Sequence, residues 1–152
     1  MPAITDSNSG VYILELFASE EFQVNIKKFS GITLKKGYYY YIGSAQKNLK
    51  QRIERHLRIE KKIHWHIDHL TTAPSISTKN AYIIYNSPKD LEEEIANNFP
   101  SMFGGIIVLK GFGNSDTKGS ITHLFYSKRR IPQSHFFSRY QSIVRFIASS
   151  KV

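Results

Sequence analysis

Apolar and polar residues change period several times along the chain, and each change marks an element. Residues 10–17, GVYILELF, are almost continuously apolar, rich in branched and aromatic side chains, and follow the turn-prone DSNSG, a pattern that predicts a buried strand. FQVNIKK, from residue 22, alternates in the way of a half-exposed strand and predicts a hairpin with the first strand. The stretch GYYYYIGSA, residues 37–45, is strongly strand-prone; it sets Tyr39 and Tyr41 on one face and Tyr38 and Tyr40 on the other. At least one face of that sheet must then accept phenolic hydroxyls.

After Asn48 the period becomes helical. Leu49, Ile53 and Leu57 make one apolar stripe on a helix over 48–60, with Asn48 as its expected cap. HWHIDHL, residues 64–70, reads as a short helix or turn, and NAYIIY, residues 80–85, as another buried strand. Ser87-Pro88 is a helix start, with Ser87 capping, Asp90 in the first turn and the helix running to about Phe99. Gly104-Gly105 leads into the strand IIVL, and HLFY is a short strand. Phe136, Phe137, Tyr140, Ile143, Val144 and Ile147 keep helical spacing and predict a C-terminal amphipathic helix. The sum is an α/β (α+β) fold, a small central, mainly antiparallel sheet flanked by helices. The expected organisation is a flexible N-terminus over 1–9, one domain over 10–126, and a helical extension over 127–152 packed on that domain.

Charge changes the picture. The chain of 152 residues carries 21 Lys and Arg against 12 Asp and Glu, a formal net charge of +9. Such an excess favours a polyanionic partner, nucleic acid before anionic membrane. Basic residues concentrate on and after the predicted first helix: Lys47, Lys50, Arg52, Arg55, Arg58, Lys61 and Lys62, opposed by Glu54 and Glu60. The chain has no cysteine, which excludes disulfides and thiolate metal sites within it. No apolar run approaches a membrane span and no signal-peptide pattern is present, so the expectation is a soluble cytoplasmic protein with no membrane partner.

Candidate chemistry follows from where the polar groups fall. Tyr12 and Tyr41 lie on two predicted strands that can be neighbours, Arg52 and His56 share one helix face at i and i+4, and a later helix offers Glu92, Glu93 and Glu94. These are the parts of a phosphodiester hydrolysis site: an acid to hold a divalent metal, an arginine to meet charge on the phosphate, and phenols or a histidine to handle protons. A tyrosine with a pKa near 10 is a poor base at neutral pH unless a metal or cation depresses it, so the metal matters to the reading. The alternating His64, His66 and Asp68 suit either a metal site or a hydrogen-bonded cluster around Trp65.

GVY, YIG, the helix LKQRIERH and the later glutamate, in this order, resemble the GIY-YIG nuclease family. More closely, GYYYYIGSA, RHL, HWHIDHL, EEEIA and GFGNSD are similar to a GIY-YIG-like subgroup found mainly in archaea and bacteria, over roughly residues 10–126. The resemblance implies DNA cleavage with one divalent metal, Mg2+ or Mn2+. It makes Tyr12 and Tyr41 the motif tyrosines, Arg52 the helix arginine and His56 its companion. Gly10 and Gly43 become the motif glycines, Gly43 permitting a tight end to its strand, and Glu92 becomes the metal ligand, with Glu94 as second choice. Lys47, Lys50, Arg55, Arg58, Lys61 and Lys62 are the expected nucleic-acid contacts. The chain departs from the pattern in three places. Residues 13–40 form a longer link than usual between the tyrosines, which implies an extra hairpin; Ser44 stands where relatives often carry lysine; and Asn114, Thr117 and Gly119 stand where the subgroup commonly has cysteines. Two functions remain on this footing: a metal-dependent DNA endonuclease, possibly structure-specific or repair-related, or a DNA- or RNA-binding module of the same fold with little or no cleavage.

Overall fold

A computed structural model describes residues 8–113, 120–140 and 142–147. Its elements, in chain order, are β1 (Gly10–Ala18), β2 (Phe22–Gln23), β3 (Thr33–Leu34), β4 (Gly37–Ala45), α1 (Leu49–Leu57), α2 (Asp68–Thr71), β5 (Ile76–Tyr85), α3 (Asp90–Phe103), β6 (Ile106–Ile107), β7 (Leu124–Ser127), α4 (Gln133–Arg139) and β8 (Val144–Ile147). Six strands form one sheet in the order β6-β7-β4-β1-β5-β8, every neighbouring pair antiparallel. The fold is therefore α+β with an antiparallel sheet, as the hydropathy pattern predicts. No helix among the described residues is long and apolar enough to cross a membrane.

Both faces of the sheet are covered, which accounts for the continuous apolar runs of β1, β4 and β5. Tyr12, Leu14 and Leu16 of β1, with Tyr39 and Tyr41 of β4, pack under α1 and α2 against Leu49, Ile53, Ile67 and Leu70. Val11, Ile13, Tyr40 and Ile42 face the other way, onto Ile95, Ala96 and Phe99 of α3 and Phe136 of α4. The alternation expected for the four tyrosines holds. Leu49 and Ile53 are fully buried, each worth roughly 1.5–3 kcal/mol relative to exposure. This stripe fixes which face of α1 is left for chemistry.

Several local expectations are replaced. β2 pairs with β3, not with β1, so the extra hairpin between the two tyrosines is a separate two-stranded unit; β1 is already flanked by β4 and β5. Helix α3 begins at Asp90, and Ser87 is no cap: its Oγ accepts the Val11 N–H and its hydroxyl donates to the Ile84 carbonyl, tying the start of β1 to the end of β5. Pro100 lies within α3, which runs to Phe103 and ends on Gly104 in the left-handed conformation. Asn48 is also left-handed and its side chain makes no cap bond; Asn8 supplies the cap, its carbonyl accepting from Leu49 N–H and its Oδ1 from Lys50 N–H. The strand expected over IIVL is reduced to Ile106–Ile107.

The long C-terminal helix is corrected. Helix stops at Arg139, and Val144–Ile147 pair with Asn80–Ile83 as the sixth strand. A run this dense in apolar residues fits both periods, and the unpaired edge of β5 decides between them by offering backbone partners that a surface helix would not use. Val144–Ile147, well past residue 126, are thus part of the sheet. The expected flexible N-terminus lies outside the described residues up to residue 7, as do Asn114, Thr117 and Gly119; Asn8 and Ser9 are held, with the Ser9 carbonyl accepting from Asn86 N–H.

Candidate active site

Strand β7 stops short of the end of β4. Their last pair is Tyr41 with Leu124, and the Ile42 N–H donates to the His123 carbonyl. Beyond this, Gly43–Ala45 pair with β1 alone among the described residues. At this uncovered end, groups from both layers reach around the sheet and line one cleft of about 370 Å³: Tyr12, Tyr41, Arg52, His56 and Glu92, with His64, Trp65, His66 and Lys89 at its sides.

Gly43 explains why the cleft has room. It sits directly opposite Tyr12 in the β1–β4 register, inside the strand rather than at a tight end, and a Cβ there would lie 2.5 Å from the Tyr12 phenol oxygen. The Tyr12 ring therefore crosses β4 through the space that the missing side chain leaves. Gly113 does the same for Tyr41, whose ring edge would be 2.7 Å from a Cβ at that position. Gly10 is the first residue of β1 and lines no part of the cleft.

Tyr12 Oη lies 2.8 Å from His56 Nε2, and both side chains are buried. Burial pushes the Tyr12 phenol well above its ordinary value; Arg52 opposes this and Glu92 reinforces it. Tyr41 is raised as well, by burial first, then by Tyr12 and Glu92, against the pull of Arg52. Burial lowers His56 to about 3, with Lys61 adding to the effect. At neutral pH the pair is thus a phenol hydrogen-bonded to a neutral imidazole. His56 Nδ1 is buried without a hydrogen-bond partner.

Arg52 is fixed at two points. Its Nη1 donates to the Ser44 carbonyl at 2.7 Å, and its guanidinium stands 4.7 Å from the centre of the Trp65 ring. Trp65 also carries Arg55, at 4.6 Å. Stacking of this kind holds a guanidinium in place without removing its charge.

Glu92, in the first turn of α3, is the acidic member of the cleft. The Ser44 hydroxyl donates to its Oε1, and His123 Nδ1 lies 3.0 Å from its Oε2. Ser120 Oγ lies 2.8 Å from His123 Nε2, so the imidazole is itself held in place. The second choice, Glu94, is exposed and lines no part of the cleft. Sequence reasoning missed His123, which has no spacing relation to Glu92, and gave Ser44 only the role of an absent lysine. Lys89, next to α3, brings a cation to the cleft that the sequence did not single out.

The HWHID segment resolves to a hydrogen-bonded cluster. Asp68 is fully buried; its carboxylate takes two bonds of 2.9 Å from Arg55 and accepts the backbone N–H groups of His64 and Trp65. Burial alone would raise the Asp68 carboxyl, but the Arg55 and backbone hydrogen bonds outweigh it and the net shift is downward. His66 Nδ1 accepts the Gly113 N–H, and burial lowers its pKa.

Two of the expected nucleic-acid contacts are spent on the fold. Lys61 has only 3% of its side chain exposed; its ammonium donates to the Arg55 and His56 carbonyls at the end of α1. Arg55 is held by Asp68 and by the Lys62 carbonyl. Lys50 faces a separate hollow with Ile53, Tyr85 and Phe146. Lys47, Arg58 and Lys62 are exposed.

A model of the protein family known as DUF123, a domain of unknown function, matches residues 11–145. The chain belongs to that family. No curated protein and no solved structure matches it. The DUF123 match takes in every cleft residue named above together with α4 and the first half of β8, so site and sheet belong to one family unit.

The donor set of this DUF123 domain fits a hard divalent cation of the Mg2+ or Mn2+ kind. Such ions keep several waters and take one or two carboxylates together with substrate phosphates, and Glu92 offers one carboxylate at an open cleft. No group of three His, Cys, Asp or Glu is arranged as a ready-made metal site among the described residues. An ion held there would take its ligands beyond Glu92 from water and from a bound phosphate.

Proposed function

We propose that this DUF123 domain is a metal-dependent endonuclease that hydrolyses phosphodiester bonds in DNA. The observation that carries the reading is the convergence of Tyr12, Tyr41, Arg52, His56 and Glu92 on one cleft from both sides of the sheet. The ordered resemblance to GIY-YIG nucleases supports the same reading, as does the net charge of +9.

Each group has a chemical role in hydrolysis. Arg52, held by Ser44 and Trp65, meets the charge that grows on the phosphate in the transition state. Tyr12, its hydroxyl hydrogen-bonded to His56 Nε2, orients the attacking water through its phenol oxygen, and the water's proton passes to solvent through the open cleft. Tyr41 walls the cleft beside that pair. Glu92 would hold the divalent ion, which when bound would supply Lewis-acid stabilisation of charge on the phosphate. The P–O bond to the leaving oxygen breaks as the bond to water forms, and the leaving oxygen takes its proton from solvent.

The competing reading is a nucleic-acid-binding module, which the exposed cations Lys47, Arg58 and Lys62 would serve without any carboxylate. Incubation with labelled single-stranded, duplex, nicked and branched DNA and with RNA, in Mg2+ or Mn2+ and in chelator, separates the two. Metal-dependent cutting that Glu92→Gln removes is expected. Tight binding with no cutting of any substrate would replace the nuclease by the binding module.

A further inference from the structure

Beside the cleft lies a second, shallow hollow, a groove of about 350 Å³ lined by Lys47, Gln51, Arg52, Arg55, Arg58 and Trp65. It adjoins the cleft, Arg52 and Trp65 lining both. Its charge is lopsided: four cations border it, and the one acid bound to them, Asp68, is fully buried beneath Arg55. The side chains of Lys47 and Arg58 are exposed and make no hydrogen bond or ion pair among the described residues. Charge so arranged raises the local concentration of an anion.

The planar groups say more about what that anion is. Trp65 and the two guanidinia stacked on it, at 4.7 and 4.6 Å, put flat surfaces at the junction of groove and cleft. Aromatic rings and guanidinium planes are the surfaces on which unpaired bases stack, whereas a phosphate alone needs only charge. The groove is shallow and open, so a duplex, its bases turned inward on each other, could present only its phosphates there. A single strand can enter.

Building on the nuclease reading of the cleft, we infer that the groove is a subsite for an unpaired stretch of the strand that carries the scissile phosphate. Lys47 and Arg58 take its phosphates, and a base rests against the Arg55–Trp65 stack. The preferred substrate is therefore nucleic acid with a single-stranded segment on the α1 side of the cut, not uninterrupted duplex.

Trp65 is the chain's one tryptophan, so its emission, excited selectively over tyrosine, reports on the junction of groove and cleft. The wild-type chain is titrated in chelator, where no metal-dependent cutting occurs, with an oligothymidine of about ten nucleotides, within the range bound by known single-strand sites. A thymidine dinucleotide, a blunt duplex and heparin are titrated alongside. The expected result is a saturable change in Trp65 emission with the single strand, and at least tenfold weaker binding of the duplex. Joint substitution Lys47→Ala and Arg58→Ala should weaken the single strand about tenfold at low salt and reduce its salt slope by about 1.4, two contacts at about 0.7 each. The dinucleotide, too short to reach the groove, should bind both forms alike. Both lysine and arginine are on the surface, and an unchanged melting temperature confirms that the variant is folded. Equal binding of duplex or heparin, unmoved Trp65 emission at saturation, or an unchanged slope in the variant would each overturn the subsite. A domain that binds in this way yet cuts nothing refutes the nuclease reading alone.

Discussion

Glu15 and Glu92 are both buried carboxylates beside the sheet, and they are built in opposite ways. Glu15, fully buried on β1, is closed on every side: Tyr40 donates to its Oε2 at 2.9 Å, and Asn80 and Arg130 donate to its Oε1 at 2.7 and 2.8 Å. The Tyr40 oxygen in turn accepts the Ile131 N–H, so the network fastens the segment that leads to α4. Glu92, 8% exposed, has no arginine or lysine partner among the described residues; Ser44 and His123 hold it, and it borders an open cleft. A buried carboxylate with its own guanidinium has its charge answered within the fold. One held by a hydroxyl and an imidazole, beside free space, keeps charge available for something that arrives from outside.

The largest expected effects would split these two residues cleanly. Glu92→Gln should lower metal-dependent cleavage by about a hundredfold or more while leaving the melting temperature close to that of the wild type. Glu15→Ala should do the reverse, costing about 3 kcal/mol of stability by leaving Tyr40, Asn80 and Arg130 without their acceptor, with the rate per folded molecule unchanged. If Glu92→Gln unfolds the domain and Glu15→Ala silences it, the two assignments are exchanged.

Asp68 sharpens the contrast, since it is buried and paired like Glu15 yet sits on the cleft side of the sheet. Asp68→Ala should destabilise by about 3 kcal/mol, because Arg55 and two backbone N–H groups lose their acceptor. The same site gives a pH signature. The Asp68 carboxyl is held below its ordinary 3.8, so its contribution is complete above that value and is lost as pH falls through the lower one. His56 acts higher up: the unfolded chain takes its proton near 6.5, the folded chain only near 3, so acidification from about 6.5 downward favours unfolding. Urea midpoints should therefore decline steadily below pH 6.5 in the wild type. In His56→Gln the decline between about 6.5 and the carboxylate range should flatten, because Gln keeps a partner for Tyr12 and does not titrate. An equal slope in both proteins would remove His56 from the account.

The sequence carried the central elements because their signals are local. β1, β4 and β5 show as apolar runs, α1 as the Leu49–Ile53 stripe, and α3 as a helix rich in acid at its start. What escaped depends on partners far along the chain. The VRFI strand was indistinguishable from helix until the open edge of β5 was known, and the cap of α1 comes from Asn8, not from Asn48 at the helix itself. Within the site, Tyr12, Tyr41, Arg52 and Glu92 were legible as an ordered series of residue types. Their supports were not: His123 reaches Glu92 across 31 positions of sequence that no periodicity spans, and Arg55 and Lys61 looked like free cations because Asp68, which claims Arg55, lies beyond the helix.

Gly43 tests whether the cleft depends on the Tyr12 ring crossing β4. A Cβ at 2.5 Å from the phenol cannot be accommodated without moving the ring, and overpacking of this kind costs about 1–3 kcal/mol. Gly43→Ala should thus show a modest loss of stability and a larger loss of cleavage, with Tyr12→Phe adding little further. Gly113→Ala, which crowds Tyr41, should cost similar stability with less effect on rate. Equal activity losses at both positions would mean that the two phenols matter alike.

The smallest effect is expected at Ser44, and it bears directly on what holds Glu92 open. Ser44→Ala removes one hydroxyl that donates to Glu92 Oε1 and changes packing little, while His123 still holds Oε2. Losing one outer partner of a metal-binding carboxylate typically weakens the site about tenfold or somewhat more. The Mg2+ concentration needed for half-maximal cleavage should therefore rise about tenfold, with the rate at saturating Mg2+ largely kept; Ser44→Thr, which retains the hydroxyl, should restore the wild-type requirement. The decisive comparison is the double variant. If Ser44 acts through Glu92, then Ser44→Ala introduced into Glu92→Gln has no carboxylate left to orient and should change neither residual rate nor Mg2+ dependence. Should it still cost tenfold there, the Ser44 hydroxyl acts by a route other than Glu92, and the open carboxylate owes its position to His123 alone.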